Sequence, residues 1–319
     1  MDTTLEMTPA QHRTLEGLIG TGERPSFPGD LVQGLRDRIE EAVRAVEPSQ
    51  PLWLGKSMLN DLSRCPGLFE AVRAGERGPF AFSVRFAAGK LAHKAVELEV
   101  AGREERDVHD LVEQASERLL EDDGFRTYWD GLDGLRRDET LMDAAKTLEL
   151  FRSTMPPLRP MRRELSPSTE WSVRAELLGG ALVLSGTPDL ILGGSSSVEP
   201  ARATRLAIDL KTGRAWPEHA EDMRFYALVL ALRFGVPPYR VATLYLESGE
   251  WQSEDVERQM LERAADRVIE AVRAVSAAQG GRPPALRPGP YCTWCPRAMT
   301  CPSSAALTGD RNRGNGGVE

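Results

Sequence analysis

Cysteine, histidine and lysine are all scarce in this chain of 319 residues, and each scarcity excludes something. Four cysteines are too few for a disulfide scaffold of this length, and a reducing cytosol would not preserve such bridges. No apolar run approaches the roughly 18 residues that a membrane span requires. The opening Met1-Asp-Thr-Thr-Leu-Glu6 lacks the basic and apolar regions of a signal peptide. The expectation is therefore a cytoplasmic chain with no membrane partner. Hydrophobic residues at 41% and charged residues at 28% exclude a disordered or collagenous chain, so the protein is folded. At roughly 150 residues per domain it is one large domain or two modest ones.

The 48 acids and 40 bases give a net charge of -8, so the surface as a whole is no polyanion binder and any nucleic-acid site must be local. Two local excesses of base occur, one at Arg152, Arg159, Arg162, Arg163 and Arg174 and one at Arg202, Arg205, Lys211 and Arg214. Either is a candidate phosphate-binding patch or a solvated face. Only five of the cations are Lys, at positions 56, 90, 94, 146 and 211. Where Arg serves almost everywhere, a Lys invites a question.

Residues 1 to 28 show weak periodicity and read as a loose N-terminus. Leu31, Leu35, Ile39, Ala42, Val43 and Val46 then recur at helical spacing until Pro48 and Pro51 intervene. Ser57 is a candidate cap for a short helix running into Cys65. Helices are expected near 84 to 101, 107 to 121 and 137 to 154, ending at the Pro-rich stretch Met155 to Pro160. Three strands, 170 to 178, 181 to 192 and 204 to 211, follow between Gly and Ser clusters, mostly linked as hairpins. A helix over 218 to 234, a strand over 239 to 246 and a long helix over 253 to 278 complete the pattern. The order predicts one α+β domain with a helical insertion or cap. A small, polar tail from Ser303 reads as disordered.

Alternation along Arg205-Leu-Ala-Ile-Asp-Leu-Lys211 puts Leu206, Ile208 and Leu210 on one strand face and Asp209 and Lys211 on the other. The preceding strand ends at Gly186-Thr-Pro-Asp189, and as hairpin partner it brings Asp189 beside Asp209. Two carboxylates about 4 Å apart repel by about 4 kcal/mol at an effective dielectric near 20, so the pair wants a cation or a proton. Mg²⁺ or Mn²⁺, with hard oxygen ligands and retained waters, suits it. A neighbouring Lys then orients or deprotonates a water for attack on phosphorus. Upstream, Gly89-x3-His93 sits in a helix with Glu97 one turn later on the same face.

The set Gly89-x3-His93-x3-Glu97, Gly186-Thr-Pro-Asp189, Ile208-Asp209-Leu-Lys211-Thr-Gly213 and Phe225-Tyr226-Ala227 resembles the PD-(D/E)XK nuclease superfamily, in particular its RecB-like exonuclease branch. The resemblance implies a restriction-endonuclease-like core, a mixed sheet flanked by helices. It further implies that His93, Asp189, Asp209 and the Leu210 carbonyl hold the metal, that Lys211 positions the water, and that Tyr226 supports the site. The later helix of that branch usually carries Gln-x3-Tyr, and this chain has Asp222-x3-Tyr226.

Cys292-x2-Cys295-x5-Cys301 suits a thiolate-bound metal centre, with Cys65 as the remaining candidate ligand. Spacing alone admits zinc as well as iron. One cysteine before the nuclease motifs and three after them is similar to the cluster-bearing RecB-like nucleases of the AddB and CRISPR-adaptation types, which implies a [4Fe-4S] cluster. Joining Cys65 to Cys292 would close a loop of more than 200 residues and strongly constrain the unfolded chain.

Gly55-Lys56-Ser57 resembles the end of a phosphate-binding P-loop, but Gln50 stands where that motif needs Gly and no strand is expected before it, so nucleotide binding is rejected. With no motor of its own, the chain would take any helicase or repair partner from outside. The organisation expected is an N-terminal helical extension (1–56), a nuclease domain (57–303) with a helical insertion (about 102–165) and an iron-sulfur segment (290–303), and the tail 304–319. The function expected is a metal-dependent DNase, an exonuclease on single-stranded DNA or duplex ends. The alternative is a non-catalytic DNA-binding scaffold with a remnant nuclease core.

Overall fold

The computed structural model describes residues 6–304 apart from positions 21, 49, 81 and 197. The expected tail therefore falls outside the described residues from 305 onward. Ser304 itself is buried, and its N–H donates to the Cys301 carbonyl at 3.1 Å, so order reaches beyond the expected boundary at Ser303.

Between Pro9 and Ile19 the chain is not loose. Helix α1 (Pro9–Arg13) continues into a π-helical turn (Thr14–Ile19) that buries Leu18 and Ile19. Its partners lie more than 200 residues away: the Tyr239 hydroxyl donates to the Ile19 carbonyl at 2.8 Å, and Arg240 donates to the Gly17 and Leu18 carbonyls. Helix α2 (Leu31–Val46) buries Leu31, Leu35, Ile39 and Val43, the stripe its spacing predicts. Strand β1 (Leu52–Leu54) leads into α3 (Lys56–Arg64), whose cap is Gly55 with no side-chain bond, so Ser57 does not cap it. After α4 (Pro66–Arg73) come α5 (Val84–Ala101), α6 (Val108–Leu119), α7 (Asp123–Asp130), α8 (Gly134–Thr154) and α9 (Arg162–Leu165). Helix α7 was not expected, and α8 begins three residues early. Asp122 and Asp133 explain both, because Asp122 accepts hydrogen bonds from the Gly124 and Phe125 N–H groups and Asp133 accepts one from the Arg136 N–H.

The strands are β2 (Ser168–Thr169), β3 (Val173–Leu177), β4 (Leu182–Gly186), β5 (Leu190–Leu192), β6 (Leu206–Lys211), β7 (Arg240–Tyr245) and β8 (Glu250–Asp255). Helix α10 (Pro217–Phe234) precedes β7, and α11 (Arg258–Gln279) follows β8. The expected single strand over 181 to 192 divides in two. Pro188 has no N–H to give a ladder and restricts Thr187 before it, so the chain turns there and leaves one sheet for another. One sheet has the order β1-β4-β3, the other β2-β5-β6-β7-β8. Within the second, β6 runs antiparallel to β5, with Leu190 opposite Ile208, and parallel to β7. The long helix starts at Arg258 rather than 253, since 250–255 forms the polar edge strand β8. With Trp251 its one apolar residue, this strand carries little alternation to read.

Two apolar clusters enclose this sheet. Leu206, Ile208 and Leu210 belong to one cluster with Leu91, Leu148 and Phe151 of α5 and α8, and Ala207 belongs to the other with residues of α2, α10 and α11 such as Val229 and Val268. Each fully buried Leu or Phe contributes about 1.5–3 kcal/mol. Strand β6 is thereby fixed on both sides and is buried from Leu206 to Leu210, Asp209 included.

Candidate active site and cysteine centre

Two glycines show why the site residues meet. A Cβ on Gly89 would lie 2.8 Å from Thr212 Oγ1, so glycine lets α5, which carries His93, approach the end of β6 without displacing that side chain. A Cβ on Gly186 would lie 2.6 Å from the Tyr226 ring, which occupies that space and donates its hydroxyl proton to the Thr187 carbonyl at 2.9 Å. Tyr226 thus braces the corner that carries Asp189.

His93 Nδ1 lies 3.2 Å from Asp189 Oδ1, and the Leu210 N–H donates to Asp189 Oδ2 at 2.5 Å. Burial disfavours the charged His93 ring, but its hydrogen bond to Asp189 and the charges of Asp189 and Asp209 more than offset this and raise its pKa. Asp209 is 2% exposed. Burial penalises its charge, yet Lys56 and Lys211 outweigh that penalty and hold its pKa below the usual carboxylate range. Lys56 Nζ sits 3.0 Å from Asp209 Oδ1, and Lys211 Nζ touches Oδ2. Asp209 Oδ2 nevertheless accepts no properly oriented hydrogen bond. His93 and Leu210 thus meet Asp189, Lys211 meets Asp209, and Tyr226 braces the corner between them, but among the described residues the donor atoms within 4.8 Å of one another are those of His93, Asp189 and Glu170, without Asp209.

Two site residues escape the sequence. Lys56, set aside with the P-loop-like segment, reaches Asp209, stands 3.6 Å from Asp222 Oδ2 and lies 4.8 Å from the Tyr226 ring centroid. A three-residue strand does precede it, but its side chain serves the acids. Burial opposes the Lys56 charge and is outweighed by Asp209, Tyr226 and Asp222, which raise its pKa. Asp222, where the RecB-like branch usually has Gln, is buried and accepts from Asn60 Nδ2 at 2.7 Å, and Asn60 in turn accepts from Arg267. It is no surface acid. Glu170 is the second omission. One carboxylate oxygen of Glu170 and one of Asp189 lie with a His93 ring nitrogen so that all are within 4.8 Å of one another. Partial burial, then the charges of Asp189 and Glu97, push its pKa up to about 7. The scarcity of lysine was the one signal that could have found Lys56.

The basic patches resolve differently. Arg152 and Arg159 both bind Glu99 of α5, at 2.6 and 2.8 Å, and Arg162 donates to the Val100 carbonyl. Arg205 is buried over the Phe234 ring, and Arg202 pairs with Glu199. These hold the fold and offer little to a phosphate backbone. Arg214, stacked 4.1 Å from the Trp216 centroid, makes no ion pair among the described residues. It lines a groove of about 1150 Å³ with Arg13, Arg85, Gly213, Trp216 and Trp251.

The C-terminal segment returns to α3 and α4. Arg287 donates to the Leu62 carbonyl, the Tyr291 hydroxyl donates to the Arg64 carbonyl, and Arg297 pairs with Glu76. Cys65, Cys292, Cys295 and Cys301 consequently line one cavity of about 200 Å³. Backbone N–H groups donate to two of the sulfurs, Arg287 to Cys65 Sγ and Gly289 to Cys292 Sγ. Among the described residues no three cysteine sulfurs lie within 4.8 Å of one another. A zinc tetrahedron with bonds of about 2.3 Å needs sulfurs about 3.8 Å apart, so the thiols do not form a closed zinc set as they stand.

The model of the PD-(D/E)XK nuclease superfamily matches residues 55–302, and the chain belongs to that superfamily. Its members typically use divalent metals such as Mg²⁺. Among solved structures, the chain is similar to a "Putative exonuclease" from Eubacterium rectale, with 11% identity over 84% of this chain and 89% of the other, at a TM-score of 0.44. It is also similar to SSO0001, with 13% identity over 87% and 99% of the two chains, at a TM-score of 0.34. No curated protein matches it. Among the described residues no helix is long and apolar enough to cross a membrane.

Proposed function

We propose that this nuclease is a RecB-like, divalent-metal-dependent deoxyribonuclease, an exonuclease on single-stranded DNA or duplex ends. DNA repair, recombination or defence is its setting, with a separate helicase or repair protein as partner where unwinding is needed. The observation that carries this reading is Asp209, buried beside the His93–Asp189 pair, its Oδ2 met by the Lys211 ammonium but by no oriented hydrogen bond among the described residues. A buried acid so placed is a fit for a hard cation. His93, Asp189, Asp209 and the Leu210 carbonyl would hold Mg²⁺ or Mn²⁺, which when bound supplies charge to the scissile phosphate and lowers the pKa of water. Lys211 positions the attacking water, and Lys56 and Tyr226 hold Asp209 and Asp189 in place. The groove at Gly213 opens two residues beyond Lys211, and its Trp216–Arg214 stack suits bases of a single strand.

Cys65, Cys292, Cys295 and Cys301 would hold a structural [4Fe-4S] cluster. Their convergence on one cavity supports a shared centre. A cubane, whose thiolates bind separate iron atoms, also spaces its sulfurs more widely than zinc does.

The test is anaerobic purification followed by digestion of end-labelled single-stranded and duplex DNA with Mg²⁺, Mn²⁺ or EDTA. Metal-dependent degradation by wild type, lost in folded Asp209→Ala and Lys211→Ala, is expected. Binding of DNA without degradation on any substrate would leave the scaffold reading in its place.

A further inference from the structure

The two lysines divide the site. Both Asp209 oxygens face a lysine, whereas neither Lys56 nor Lys211 pairs with Asp189 or Glu170. The donor atoms of His93, Asp189 and Glu170 lie within 4.8 Å of one another, and neither of the two site lysines is paired with them. The buried Asp209, whose Oδ2 lacks an oriented hydrogen bond, adds its field at His93.

The backbone at Glu170 is unusual as well. Its φ of 47° lies in the left-handed region, which is strained for a non-glycine residue, and Ser166 close by shares this geometry. The Glu170 N–H donates to the Asp189 carbonyl at 3.3 Å, which ties the two residues together across the β2–β5 edge. A glycine would satisfy this turn without strain, so the fold keeps a carboxylate where backbone energetics favour none. That carboxylate crowds Asp189 and Glu97, and its outer face is open to solvent, where a phosphate could reach a bound ion.

We propose that Glu170 is a protein ligand of the divalent cation, joining His93 and Asp189. This rests on the metal-dependent nuclease reading and adds to it a residue outside the motifs. The role of Glu170 is to retain the ion in the absence of DNA.

The experiment is titration of Mn²⁺ into the chelator-stripped full chain without DNA, by calorimetry and by the paramagnetic resonance of free Mn²⁺. Wild type, Glu170→Gln, Glu170→Gly and Asp189→Asn are compared. Both Glu170 variants are expected to weaken Mn²⁺ binding by at least the roughly tenfold that even a hydrogen-bonding partner of a ligand is worth. The glycine variant should also unfold at a higher temperature than wild type in EDTA, since its turn is relieved. Wild-type affinity in both Glu170 variants, with binding lost in Asp189→Asn, would overturn the ligand role and leave the nuclease reading standing. A difference that vanishes at roughly 1 M salt, where the screening length is about 3 Å, would reduce Glu170 to a field effect and also overturn it. Wild-type affinity in Asp189→Asn as well would defeat the underlying site.

Discussion

Replacing Lys56 by Met tests whether this lysine, absent from the motif pattern, holds the buried acids of the site. The substitution keeps most of the aliphatic stem and removes the ammonium 3.0 Å from Asp209 and 3.6 Å from Asp222. At 3.0 Å and an effective dielectric near 20, the Asp209 attraction alone is about 5.5 kcal/mol. Lys211 remains, and the Lys56 side chain is 25% exposed, which reduces the net loss. We expect a destabilisation of about 3 kcal/mol, at the low end for breaking a buried pair and more than a hundredfold in the unfolding equilibrium. The assay is urea unfolding at neutral pH in EDTA, so that no metal masks the charge. Asp209→Asn in the same background closes a double-mutant cycle, with about 2 kcal/mol of coupling expected. The pH dependence has a definite sign. The depressed Asp209 pKa gives stability that is present above the unfolded value near 3.9 and lost as pH falls through the folded value. Without Lys56 the folded value rises, so the variant should lose this stability at a higher pH than wild type. A Lys56→Met protein within about 0.5 kcal/mol of wild type, with an unchanged acid limb, would refute the role given to Lys56.

Gly186→Ala drives a methyl group to 2.6 Å from the Tyr226 ring, so a loss of about 1–3 kcal/mol by thermal unfolding and a fall in DNA cleavage are expected. Unchanged stability would show that Tyr226 does not fill that space. Trp216→Ala should weaken binding of a single-stranded oligonucleotide by about 1–3 kcal/mol, read by fluorescence anisotropy in EDTA, with little effect on folding. Cys65→Ser should strip iron and sulfide from anaerobically purified protein and lower its melting temperature. Full retention of the metal, or zinc in its place, would count against the cluster.

Much of the site was legible because its chemistry is packed into short stretches. Strand alternation gave Asp209 and Lys211 one face, and the helix over 84 to 101 presents His93 with the boundaries its spacing predicts. Local sequence carries such information because neighbouring residues fix each other's geometry within a turn or a pleat. The four cysteines were legible as a set, since their residue type and clustering survive without knowledge of the fold. Lys56 was not legible. It contacts Asp209 across 153 residues of sequence, and nothing near Lys56 foretells which acid it meets. Glu170 lay hidden for a related reason, as its role depends on a left-handed turn beside the edge strand β5. Arg152 and Arg159 were misread because a cluster of cations looks the same in sequence whether it faces solvent or is paired with Glu99. Sequence alone thus singled out a histidine, two aspartates and a lysine that the fold brings near one another, and four thiols that line one separate cavity. Only the tertiary structure decided which further groups surround them, because burial, pairing and approach distance are set by how α3, α5 and the two sheets pack, and long-range packing leaves no local periodicity to read.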